Sequence, residues 1–126
     1  MSPLAQGFAV VAALLHVLFF VMESILFSQP KVWRRFGLKS QADADIVKPM
    51  ALNQGFYNLF LALGVLVGIA LVNTGSAASG VAAVVFGCAC MVLAALVLVS
   101  TNRRFLPASL VQGLMPLLAL SLVAAR

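Results

Sequence analysis

Residues 81–100 read VAAVVFGCACMVLAALVLVS, a run of 20 residues without a charge. About 20 apolar residues is the length that an α-helix needs to cross the hydrocarbon core of a bilayer. The same composition extends through the whole chain, in which 63% of the 126 residues are hydrophobic and 9% are charged. Soluble domains of this size carry far more charge. The sequence therefore predicts an all-α, polytopic membrane protein.

Three further apolar runs accompany this stretch. We predict spans at about residues 4–27, 50–72, 81–100 and 105–125. This leaves no room for a separate soluble domain, so residues 1–126 are expected to form a single four-transmembrane-helix bundle. The first run is not preceded by a basic residue and is too long for the core of a signal peptide. We therefore expect it to be retained as a span.

The polar segment at residues 29–49 is predicted to be a basic loop at the membrane surface. It holds five of the eight basic residues of the chain, namely Lys31, Arg34, Arg35, Lys39 and Lys48. Trp33 and Phe36 are expected to anchor it among the lipid headgroups. The order Ser40-Gln41-Ala42-Asp43 has the form of a capping box, which predicts a short interfacial helix through Val47.

The basic residues also predict the orientation of the chain. Arg103 and Arg104 lie in the third loop, on the same side of the membrane as the basic loop, and the opposite side holds only Arg126. By the positive-inside rule the two basic loops face the cytoplasm and both termini lie outside it, in the inner (plasma) membrane. The bilayer thus accounts for the net charge of +5, and no nucleic-acid partner is expected.

Small residues are expected to mark the faces where helices meet, because they let backbones approach closely in a membrane. In the third span these residues are Gly80, Ala83, Gly87, Cys90 and Ala94, and in the second span they are Gly64 and Gly68. We expect both sets to pack within the bundle. Association of several copies into a homo-oligomer stays open.

Polar side chains inside the predicted spans are the candidates for function, because they are costly in lipid and usually face the protein interior. They are His16 and Glu23 in the first span, Asn53, Gln54, Tyr57 and Asn58 in the second, and Gln112 in the fourth. On an ideal helix His16 and Glu23 lie about 20° apart. Counting about 1.5 Å per residue from the span ends places the polar groups of all three spans at a similar depth, with His16 about 10 Å above Glu23. Pro116 leaves the carbonyl of Gln112 without its helical donor, which adds another polar atom to this layer.

The same residues carry a resemblance to a known family. His16 with Glu23, Phe36-Gly37, the run Asn53-Gln54-Gly55-Phe56-Tyr57-Asn58, and Gln112-Gly113 with Pro116 resemble the domain of unknown function 1304 family. These are small four-span membrane proteins found largely in bacteria. The resemblance covers almost the whole chain and implies a fold and a set of signature positions, but no activity.

We interpret the polar layer as a cytoplasm-facing pocket for a small lipophilic molecule. Glu23 and His16 are the candidate catalytic, acid-base residues, and Asn53, Gln54, Tyr57, Asn58 and Gln112 are the candidate ligand-binding residues. Whether a reaction follows binding is left open. Neither a cofactor nor a metal is predicted, because one histidine and one carboxylate supply too few ligands for haem or a metal ion.

Two other function classes remain open. Small multidrug transporters also have four short spans with a functional carboxylate in the first, so a proton-coupled exporter is one alternative. The asymmetry of basic charge argues against the antiparallel pairing of such exporters. The other alternative is a structural membrane subunit, in which the buried polar groups only hold helices together.

Overall fold

The computed structural model describes residues 1–125. Arg126, which is expected on the side of the membrane opposite to the basic loops, lies outside the described residues. The helices are α1 (Pro3–Phe20), which continues as a π-helical turn (Val21–Ile25), α2 (Pro30–Trp33), α3 (Gln41–Asn73), α4 (Ala77–Thr101) and α5 (Leu106–Ala124). Short 3-10 turns lie at Arg34–Phe36 and Arg103–Phe105. No strand occurs among residues 1–125.

Four of these segments are long and apolar enough to cross a membrane, namely Pro3–Ile25, Gln41–Asn73, Ala77–Thr101 and Arg103–Ala124. The predicted fold class is confirmed, and the chain is an all-α, multi-pass membrane protein. Two glycines with positive φ, Gly37 (81°) and Gly75 (101°), form the bends before α3 and before α4. Residues other than glycine rarely adopt this backbone conformation, because their Cβ atom clashes with the backbone.

The segment predicted as an interfacial loop with its own short helix differs from the expectation. The Ser40 hydroxyl accepts the backbone N–H of Asp43 at 3.1 Å, so the capping signal does start a helix. That helix does not end at Val47 but runs through Pro49 to Asn73 as α3. Because Pro49 has no backbone N–H, the carbonyl of Asp45, four residues earlier, lacks its helical hydrogen-bond donor. Asp45 is exposed, so that carbonyl can be solvated and the helix continues.

The contacts of the described residues divide the chain into two compact units. The first contains Met1–Leu15 and the chain from Leu61 onward, and the second is His16–Phe60. The expectation of a single domain stays a prediction.

In the first unit, glycines allow α3 and α4 to touch at their backbones. A Cβ on Gly80 would lie 2.5 Å from the carbonyl oxygen of Gly68 and 2.5 Å from the backbone nitrogen of Val72. A Cβ on Gly87 would lie 2.6 Å from a methyl group of Val65. Gly64, by contrast, has nothing within 4 Å of its Cβ position, so only Gly68 of the predicted pair makes a close contact.

The buried line of α4 is shifted from the expected small-residue face. It consists of Gly80, Val84, Gly87, Cys88, Met91 and Ala95. Ala94 is exposed. Ala95 contacts α5, where the buried Ser109 hydroxyl donates a 2.6 Å hydrogen bond to its carbonyl. Medium-sized side chains thus share the interface with the glycines.

The second unit has its own small core. Phe27, Trp33, Ala44 and Ala51 are buried, and Phe36, Leu38 and Val47 pack against them. This core joins the connecting segment to the first turns of α3. The residues predicted to anchor the segment, Trp33 and Phe36, therefore pack within the unit.

Candidate functional site

The candidate site in the second unit begins at the π-helical turn that follows α1. The backbone N–H of Leu26 donates to the carbonyl of Val21 at 2.9 Å, one residue beyond the usual α-helical partner. Glu23 is the middle residue of this turn. Such turns are rare and are found frequently at functional sites.

Backbone contact between the π-turn and α3 places Glu23. A Cβ on Gly55 would clash with the hydroxyl of Ser24 and lie 3.1 Å from the Cβ of Glu23. The Ser24 hydroxyl donates a 2.8 Å hydrogen bond to the carbonyl oxygen of Leu52, one turn earlier in α3. Gly55 thus lets the two helices come close enough for their polar groups to meet.

The carboxylate of Glu23 is held by α3. Nδ2 of Asn58 donates a 2.7 Å hydrogen bond to Oε2 of Glu23. Asn58 is 6% exposed, and Glu23 is half-buried. Oε1 accepts no hydrogen bond from any of residues 1–125. The hydrogen bond to Oε2 therefore orients the carboxylate, and Oε1 can accept a hydrogen bond from another donor.

Aromatic rings lie next to this pair along the same helices. Phe20 meets Phe56 edge to face, with ring centroids 5.1 Å apart. Phe60 is 6.1 Å from Phe56 and 6.4 Å from Tyr57. The polar contact is thus followed by a cluster of aromatic rings along α1 and α3.

A cleft of about 340 Å³ opens beside Glu23. Its lining residues are Glu23, Ser24, Ile25, Phe27, Ser28, Lys48, Pro49 and Leu52. The walls are mainly apolar, with a carboxylate, a cation and two hydroxyl groups. This mixture suits a ligand with an apolar body and a polar end.

His16 is fully buried and meets Phe19 edge to face, with ring centroids 5.3 Å apart. It does not line the cleft. The expected common face with Glu23 assumed 100° per residue, and the π-turn from Val21 onward departs from that geometry. A shared acid-base role of the two residues stays a prediction.

The other candidate residues are distributed over two settings. Asn53 and Gln54 are exposed on α3, and Tyr57 is 58% exposed. None of these three side chains makes a hydrogen bond within residues 1–125. Gln112 lies in the first unit, half-buried in α5. The structure therefore brings Glu23 and Asn58 together, and the wider polar layer stays a prediction.

Sequence reasoning overlooked two members of the site. Ser24 was not singled out, although it is a polar residue inside the first span, and that criterion alone could have found it. Gly55 was noted only as part of a motif, because its role depends on which helix approaches it. Among residues 1–125, no group of three His, Cys, Asp or Glu side chains could hold a metal ion.

Comparison with known proteins places the chain in a family. The family described as "Protein of unknown function (DUF1304)" matches residues 10–124. The chain belongs to this family, as its signature residues indicated. None of the curated proteins matches it, and none of the solved structures does.

Proposed function

We propose that this member of the DUF1304 family binds a small lipophilic molecule at Glu23, within the membrane. The observation that carries the proposal is the 2.7 Å hydrogen bond from Asn58 to Glu23 at the edge of a cleft. A carboxylate inside a span costs about 2.5–3.5 kcal/mol on insertion scales. Neutral amides could join two helices at lower cost, so a carboxylate at this position favours a role in binding.

The chemistry of the site favours a ligand that donates a hydrogen bond. Asn58 uses Oε2 of Glu23, and Oε1 is left as an acceptor. An amine or hydroxyl group would therefore bind Oε1, while its apolar part packs on Phe27 and Leu52 in the cleft. Most ligand sites combine apolar walls with a few placed polar groups in this way.

Acid-base chemistry is a further step of the same proposal. Glu23 lines the cleft, and in this proposal its carboxyl group exchanges a proton with the bound donor. His16, seven residues earlier in the same span, is proposed as the second acid-base residue. Asn53, Gln54, Tyr57 and Gln112 remain candidates for contacting the ligand.

The test is to identify the molecules that co-purify with the protein when it is extracted from the membrane. Wild type and Glu23→Gln are purified in parallel, extracted with organic solvent and compared by mass spectrometry. Asp43→Asn is the control, because it removes an exposed carboxylate from the same unit. We expect a molecule with an amine or hydroxyl group to be enriched with wild type and the control and depleted with Glu23→Gln.

Identical extracts from all three proteins would overturn the proposal. A vesicle assay then separates the remaining functions. Proton-linked flux of a lipophilic cation that requires Glu23 would indicate an exporter. Its absence, together with a stability loss in Glu23→Gln, would indicate a structural subunit.

We also propose that the protein lies in the inner (plasma) membrane with both termini outside the cytoplasm. The support is the concentration of basic residues in two of the three loops. A reporter that fluoresces only in the cytoplasm, fused after the last residue, should stay dark. A bright fusion would overturn this orientation.

A further inference from the structure

The segment between the π-turn and the apolar part of α3, residues 29–48, carries a concentration of cations. All five are exposed: Lys31, Arg34, Arg35, Lys39 and Lys48. The segment also holds two carboxylates, Asp43 and Asp45, and none of the five cations forms an ion pair within residues 1–125. Asp45 accepts a 2.9 Å hydrogen bond from Gln41 instead. We call this segment the basic platform.

The basic platform is folded, not a loose loop. Trp33 is 3% exposed, and its indole N–H donates a 3.2 Å hydrogen bond to Oε1 of Gln41 at the start of α3. The guanidinium of Arg34 lies 5.3 Å from the centre of the Trp33 ring. This cation–π contact holds Arg34 in place. The cations are thus displayed from an ordered scaffold, which reduces the entropy lost on binding.

Exposed apolar side chains of the same segment indicate contact with lipid. Ile46 is 77% exposed and Met50 is 74% exposed, and they lie one turn apart on the same face of α3. Segments that combine exposed aliphatic side chains with lysine and arginine are typical of the boundary between headgroups and acyl chains. The basic platform also connects two membrane spans, so it lies at the bilayer surface.

We propose that the basic platform binds the headgroups of anionic phospholipids in the surrounding membrane. Arginine pairs with phosphate through two parallel hydrogen bonds, and juxtamembrane clusters of basic residues attract anionic lipids. A soluble acidic partner would not require the exposed Ile46 and Met50. Lys48 also lines the cleft beside Glu23, but the proposal does not require a ligand at Glu23.

The single tryptophan of the chain, Trp33, is a reporter inside the basic platform. The protein is reconstituted into vesicles of phosphatidylcholine containing either brominated phosphatidylglycerol or brominated phosphatidylcholine, and quenching of Trp33 fluorescence is measured at equal mole fractions. If anionic lipid is enriched around the platform, brominated phosphatidylglycerol quenches more strongly. High salt should reduce this preference, because it screens surface charges.

The sequence offers a matched pair of variants. Arg34-Arg35-Phe36 and Arg103-Arg104-Phe105 have identical residues and both form 3-10 turns. Since each basic residue near the surface contributes up to about fivefold in affinity for anionic lipid, the variant Arg34→Gln/Arg35→Gln should lose most of the preference. Arg103→Gln/Arg104→Gln should keep it.

Each other result overturns the proposal. Equal quenching by the two brominated lipids in wild type would show that no anionic lipid is enriched. If both double variants lost the preference for anionic lipid equally, the preference would depend on the net charge of the protein and not on the basic platform. Displacement of the lipid by inorganic phosphate at constant ionic strength would indicate a site for the free ion. The wild-type and high-salt measurements decide the question even if a variant does not fold.

Discussion

Asn58 donates a 2.7 Å hydrogen bond from its side-chain amide to the carboxylate of Glu23. The bond links the middle of a π-helical turn to a buried position on α3. Gly55, one turn earlier in α3, allows the approach, because the side chain of any other residue would occupy the space of the Ser24 hydroxyl. The polar contact and the close backbone approach therefore depend on each other.

Asn58→Leu should lower the stability of the protein by about 1–2 kcal/mol. The variant leaves the Glu23 carboxylate without its donor, and loss of the partner of a buried polar group costs about 1–3 kcal/mol. Glu23 is only half-buried, so we expect a value in the lower part of this range. The free energy of unfolding can be measured by denaturant titration in detergent micelles.

Asn53→Leu is the matched control for this experiment. Asn53 belongs to the same helix and is exposed, and its amide makes no hydrogen bond within residues 1–125. We expect a change below about 0.5 kcal/mol. Equal losses in the two variants would show that the Asn58–Glu23 bond does not stabilise the protein.

Gly55→Ala should separate the π-turn from α3. The added methyl group meets the Ser24 hydroxyl and the backbone nitrogen of Ser24, the latter at 3.1 Å. Overpacking of this kind costs about 1–3 kcal/mol. Thermal unfolding in detergent micelles would detect this loss of stability, and the proposed binding of a lipophilic molecule at Glu23 should be lost as well.

Two comparisons sharpen this prediction. Gly64→Ala lies in the same helix with nothing within 4 Å of the new Cβ, so it should be neutral or slightly stabilising. In the double variant Ser24→Ala/Gly55→Ala the nearest obstacle is gone, and the loss should be smaller than the sum of the two single losses. Additive losses would contradict the contact between Gly55 and Ser24.

The sequence was sufficient to predict the membrane fold, because long uncharged apolar runs have few other stable arrangements. It was less informative about helix ends. The capping signal at Ser40 was recognised, but Pro49 was treated as a boundary. A proline at this position interrupts only one hydrogen bond and leaves α3 continuous.

The candidate site was harder to predict than the spans. Polarity at membrane depth identified Glu23 and Asn58, but it could not distinguish Asn58, which is buried, from the exposed Asn53. That difference depends on which face of α3 meets the π-turn. The π-turn itself has no recognisable sequence signal, and it changes the angular relation between Glu23 and His16 on which the predicted common face depended.

Ser109→Ala tests the contact between α4 and α5 in the first unit. The buried Ser109 hydroxyl donates at 2.6 Å to the carbonyl of Ala95 on the other helix. Hydrogen bonds between membrane helices contribute about 0.6 kcal/mol on average and at most about 1.7. We expect a loss within this range. Ser121→Ala should have a smaller effect, because Ser121 bonds to Leu117 of its own helix.

Gly80→Ala should be the most damaging of these substitutions. Its Cβ would meet two backbone atoms at 2.5 Å, the carbonyl oxygen of Gly68 and the nitrogen of Val72. Backbone atoms cannot rotate away as the Ser24 side chain can, so α3 and α4 must move apart along their length. We expect a loss of about 2–3 kcal/mol or more, at the upper end for overpacking.

The control for Gly80→Ala is Gly7→Ala, since a Cβ on Gly7 meets nothing within 4 Å. Both substitutions add one methyl group to a helical glycine, so the intrinsic gain in helix propensity is the same and cancels in the comparison. Unfolding in detergent micelles should therefore separate the two variants by the cost of the helix contact alone. If Gly80→Ala were as stable as Gly7→Ala, α3 and α4 would not touch at their backbones, and the small residues of α4 would have to face another partner.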